Sequence, residues 1–160
     1  MADAKKNTKK TNKNTEETSP NRTSGKITIY LTRDSFCMGD DAMAPNIRRF
    51  TCHIGSDWCP ECKIYDILDS YFGTNLPGYF WRGYAGGEWF ADMYLLRKDG
   101  CGFLKDCNIA ENWEELLEKY GTIHFIHTDY EERDTLPMKR KNEYTFKQAE
   151  RIYKQFHPEK

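Results

Sequence analysis

The sequence of 160 residues has no long apolar run, no surplus of either charge and no glycine-rich phosphate loop. No window approaches the roughly 18 consecutive apolar residues that a membrane-crossing helix needs, so no membrane role is expected. The 24 basic side chains meet 25 acidic ones. That balance offers no general attraction to a phosphate backbone or an anionic lipid surface, and nucleic acid is not the expected partner. Histidine is scarce, with four in the chain, and His124 and His127 must fall on opposite faces of any strand that holds both. No nucleophile elbow and no histidine–carboxylate pair with catalytic spacing is present, so the pattern leans away from an enzyme while leaving that question open. No apolar segment near the start has the character of a signal peptide, and a cytoplasmic location is expected.

Residues 1–25 are built from Lys, Asn, Thr, Ser and Glu, with six basic and three acidic side chains. Such a stretch cannot bury enough surface to offset the entropy of ordering it, so a disordered basic tail is expected. Its charge suits either a tether for an acidic partner or a solubilising leader.

Regular structure begins at Lys26. In KITIYLT, Ile27, Ile29 and Leu31 alternate with polar neighbours, and in RRFTCHI, Phe50, Cys52 and Ile54 do the same, predicting two paired strands. A helix follows, with Asp57 as cap, Pro60 in the first turn, Gly73 past the end, and Ile64, Ile67, Leu68, Tyr71 and Phe72 along one face. Residues 79–100, rich in aromatics and interrupted by Ala85-Gly86-Gly87, predict two strands around a tight turn. A short helix is expected in NWEELLEKYG, where Asn112 and Glu115 have capping-box spacing and Gly121 ends it. TIHFIHT, at 122–128, is apolar enough for a central strand. A charged linker with Pro137 then leads to an amphipathic helix at about 144–156.

This order of elements resembles that of the ubiquitin-like β-grasp superfamily over residues 26–128, with TIHFIHT in the place of that superfamily's last strand beside its first. The resemblance implies an α+β fold: a mixed β-sheet of β-grasp type with parallel first and last strands, one packed helix across a face, and a short crossover helix. A C-terminal amphipathic helix is appended. It also implies a role in binding other macromolecules. The expected organisation is a tail at 1–25, a β-grasp-like domain at 26–128, and a linker with a C-terminal helix at 129–160.

The cysteines at 37, 52, 59, 62, 101 and 107 admit three chemistries. WCPECK, at 58–63, is similar to the thioredoxin family's active site. That likeness implies Cys59 as nucleophile and Cys62 as resolving thiol of a thiol–disulfide oxidoreductase, since a helix N-terminus stabilises a thiolate. The family's opposed cis-proline loop has no counterpart here, because Pro77 follows directly after the same helix. Alternatively, Cys59 and Cys62 form half of a structural zinc set that Cys52, His53, Cys101 or Cys107 could complete, with Cys59, Cys62, Cys101 and Cys107 as the four-cysteine version; zinc is the one cofactor under consideration. The third reading is that the cysteines act as small hydrophobes in a reducing cell.

Two surfaces are expected to meet a protein partner. The long connection DSFCMGDDAMAPN offers Phe36, Met38, Asp40 and Asp41. The aromatic hairpin offers Trp81 and Trp89 if its outward side chains form an apolar patch. The expectation is a small, non-enzymatic protein-binding module.

Overall fold

The computed structural model describes residues 25–34, 46–55, 60–72, 79–98, 101–142 and 144–159, with the backbone alone for 60–63, 95–98 and 101–106. Alternation in KITIYLT builds β1 (Gly25–Arg33), which pairs antiparallel with β2 (Arg48–Ile54). From Ile29 onward every residue of β1 is buried, polar and apolar alike, because both faces of the sheet are covered there. Helix α1 (Pro60–Phe72) keeps Pro60 at its first position, where the missing N–H costs nothing. β3 (Tyr79–Ala85) and β4 (Glu88–Lys98) form the aromatic hairpin, turning at Gly86 and Gly87 with φ of +58° and +87°. Positive φ at both central residues matches the right-handed twist of the flanking strands.

A further strand, β5 (Cys101–Ile109), pairs antiparallel with β4 and forms one edge. The sequence reading places no strand there. Helix α2 (Trp113–Tyr120) then leads to β6 (Thr122–Asp129), whose run TIHFIHT is central as expected. The result is one mixed six-stranded sheet in the order β2-β1-β6-β3-β4-β5, with β1 and β6 parallel and every other pair antiparallel. The fold is α+β.

On the first face, Ile29, Leu31, Trp81, Met93 and Phe125 pack with Ile64, Leu68 and Phe72 of α1 and with Trp113 and Leu116 of α2. The second face is closed by the C-terminal segment. That segment carries a 3-10 helix (Tyr130–Thr135), an extended strap, and helix α3 (Phe146–Phe156). Tyr30 of β1 meets Phe146 and Tyr153 edge-on, at centroid distances of 5.2 and 5.8 Å. The stretch read as a linker lies along this face with most of its residues exposed, held at points by hydrogen bonds. Arg140 N–H donates to the Gly87 carbonyl at 2.9 Å, and a Cβ on Gly87 would stand 2.0 Å from the Arg140 carbonyl oxygen.

Capping differs from expectation in one place. Asn112 precedes α2 without a side-chain capping bond, while Gly121 ends that helix in the left-handed region as expected, its N–H reaching the Leu117 carbonyl at 2.9 Å. The capping box forms instead on α3, where Thr145 and Gln148 bond reciprocally.

Candidate functional site along the C-terminal segment

A two-residue turn without irregularity would set Arg82 opposite Ala91. The register shift after Gly83 sets it opposite Asp92 instead, with both side chains on the second face. The guanidinium grips the carboxylate with two bonds, Nε to Oδ1 at 2.7 Å and Nη2 to Oδ2 at 2.8 Å, and its Nη1 donates to the Leu136 carbonyl at 2.6 Å. Trp89 Nε1 adds a bond to Asp92 Oδ1 at 2.9 Å, and Tyr84 Oη donates to the Pro137 carbonyl. These contacts tie the hairpin to the strap. The bond to Asp92 raises the Arg82 pKa above its usual value, and burial raises that of Tyr84. Beside the pair lies a cavity of about 300 Å³ walled by Phe80, Tyr94, Tyr130 and Arg133, with Arg133 over the Tyr130 ring at 4.3 Å.

Further along the same face, β6 brings His124 between Thr32 and Asp34 of β1's end. Its Nδ1 lies 2.7 Å from Thr32 Oγ1 and its Nε2 lies 3.0 Å from Asp34 Oδ1, with Tyr144 of the strap against the ring at 5.4 Å. The arrangement has the residue types of a nucleophile, base and orienter. Thr32 is fully buried and His124 is 3% exposed, and the three residues latch β6 to the end of β1.

At the far end of the strap, the hairpin turn, the C-terminus of α2 and the start of α3 surround a cavity of about 630 Å³. Its apolar lining comes from Tyr120, Tyr144 and Phe146, and its rim carries Lys119, Lys141 and Lys147. It continues on one side past Arg140 and Gln148, and on the other past Ile27 and Thr28 of β1.

Of the residues singled out from sequence, Phe36, Met38, Asp40, Asp41 and Cys59 lie outside the described residues. Cys62 is the third residue of α1. Trp81 is fully buried in the first-face core, tilted against Phe72 at 5.1 Å, so the expectation of an exposed contact is corrected. The hairpin's outward aromatics make no open patch either: Phe80 and Tyr84 are 6% and 1% exposed, because the C-terminal segment covers them. Trp89 is half-buried and bonded to Asp92.

The backbone of β5 bears on one pair of the four-cysteine zinc set. Cys101 and Cys107 stand at two ends of β5, six residues apart. At roughly 3.3 Å per residue they are about 20 Å from one another, whereas thiolates sharing one zinc at about 2.3 Å must lie within about 4 Å. Cys107 instead packs against the core, where burial pushes its thiol pKa up to about 12, and its carbonyl accepts a bond from Tyr65 Oη at 3.1 Å. Cys52 is fully buried among the core side chains, the small-hydrophobe role.

Sequence reasoning missed Arg82, Asp92 and the strap carbonyls because their meeting depends on the register shift and on a packed C-terminal segment. The basic cluster Lys139-Arg140-Lys141 was the one available signal for the groove. No protein-family model, no curated protein and no solved structure matches the chain.

Proposed function

We propose that the chain is a non-enzymatic protein-binding module built on a β-grasp-type sheet. The observation that supports the reading is the strand order β2-β1-β6-β3-β4, with parallel first and last strands at its centre and α1 packed on one face. Parallel first and last strands and one packed helix are the features that the sequence resemblance leads one to expect, and that superfamily's usual work is binding macromolecules. β5 and the C-terminal segment are additions to it. The second face is occupied by the chain's own strap, so a partner is met elsewhere: at the 33–46 connection with Phe36, Met38, Asp40 and Asp41, or at the groove beside the strap.

The test is recovery of the tagged chain from its source cells after mild cross-linking, with mass spectrometry of what comes with it. The expected result is a partner in stoichiometric amount, held by a chain whose melting temperature matches that of the untagged protein. A chain recovered alone under these conditions contradicts the reading.

A further inference from the structure

We infer that the groove between the α2 C-terminus and the strap is the docking site for an acidic segment of a protein partner. The inference rests on the binding-module reading and names the chemistry of the partner. Charge is the first argument. KRKNEYTFK, residues 139–147, holds four cations against one acid, Glu143. Lys119 adds a fifth cation at the rim, 64% exposed and 3.7 Å from Glu88. Lys141 and Lys147 make no ion pair among the described residues, and both are exposed. A rim of this sign attracts carboxylates.

The floor separates a peptide from a nucleic acid. Single-strand binders stack bases on open ring faces, and here each ring already has a neighbour. Lys119 Nζ lies over the Tyr120 ring at 4.8 Å, and Gly86 backs that ring so closely that a Cβ would stand 2.0 Å from it. Phe146 is against Tyr30 and Gly121, and Tyr144 is against His124. The remaining apolar lining suits an aliphatic side chain. Asn142, which lines the groove, donates through Nδ2 to the Tyr144 carbonyl at 2.8 Å, which fixes the strap backbone at the groove wall.

The chain's own N-terminal segment is excluded as the occupant by sign. Residues 1–25 are net positive, and they join β1 at Gly25, two residues from Ile27 on the groove wall.

The experiment titrates the full chain with a fluorescein-labelled peptide of Asp and Glu residues around a single Leu. Controls are the same peptide with Asn and Gln in place of the acids, and an oligothymidylate of equal charge. The acidic peptide is expected to bind, to weaken as salt rises, and to lose at least about tenfold in affinity in the double variant Lys141→Glu with Lys147→Glu, a loss of about 1.4 kcal/mol. Lys154→Glu, on the same helix but paired with Glu150 at 3.1 Å, is expected to stay within about twofold of the parent. Both sites are exposed, and unchanged melting curves exclude misfolding. No binding of the acidic peptide, equal binding of its neutral form, tighter binding of the oligothymidylate, or indifference to the double variant overturns the inference. A cellular partner that still binds the double variant removes the groove and leaves the binding-module reading standing.

Discussion

Replacing Asp92 by Ala tests how the strap is held to the sheet. Arg82 is 8% exposed and directs three N–H groups at acceptors, two of them on Asp92. Without the carboxylate, a buried guanidinium keeps only the Leu136 carbonyl among these acceptors, and Trp89 Nε1 loses its own acceptor. Breaking a buried pair from one side costs about 3–5 kcal/mol. The Asp92 side chain is 18% exposed, so water reaches part of the gap, and about 2–4 kcal/mol is the expected loss. For a chain of this size that lowers the melting temperature by about 5–15 °C. Arg82→Met with Asp92→Leu removes both charges and leaves apolar groups of similar volume, an exchange that is often close to neutral. The assay is guanidinium unfolding followed by tryptophan fluorescence for the parent, both single variants and the double. The double variant is expected to be more stable than Asp92→Ala by at least about 1 kcal/mol. A loss below about 1 kcal/mol for Asp92→Ala, or strict additivity in the cycle, refutes the reasoning.

Three further outcomes follow from the same contacts. Trp81→Ala is expected to cost about 3–5 kcal/mol in the same unfolding assay, as for any large core truncation, and a near-parental melting curve would mean the residue is not core. Gly87→Ala puts a Cβ against the Arg140 carbonyl at a φ of +87°, so hydrogen exchange at the Arg140 amide should accelerate by at least about tenfold, about 1.4 kcal/mol of local opening. Cys107, with its thiol pKa pushed up to about 12 from 9.0, should resist iodoacetamide at neutral pH in the folded protein and react once it is unfolded. Because the folded pKa is the higher one, this thiol's contribution is fully present below pH 9 and is lost as pH rises toward 12. The loss is at most about 1.4 kcal/mol per pH unit, a slope that Cys107→Ala should remove from the alkaline arm.

What could be read from sequence was governed by local periodicity. Ile27, Ile29 and Leu31 mark β1, and the paired glycines mark the β3–β4 turn, because each signal lies within a few residues. β5 escaped although Cys101, Phe103, Cys107 and Ile109 share one parity, since Lys105 interrupts the pattern and Gly102 sits within the strand. Trp81 and Tyr84 illustrate a different limit. Alternation assigns them to opposite faces, and only the packing of the C-terminal segment decides that both faces are interior. The latch at His124 joins residues 90 and 92 apart in sequence, a separation over which spacing carries no information. Capping chemistry was legible but ambiguous: Asn112 and Glu115 fit the spacing without forming the bonds, while Thr145 and Gln148 form them.

A protein that works by holding a partner at the cationic groove should leave a chemical record of that contact. Lysine-to-carboxylate cross-linking of the chain in its source cells, followed by peptide mapping, addresses it directly because Lys119, Lys141 and Lys147 themselves carry the reactive amines. The expected map joins those three lysines to an acidic stretch of one partner, with the links lost in Lys141→Glu with Lys147→Glu. Links confined to lysines away from the groove, or none to any other protein, would contradict it.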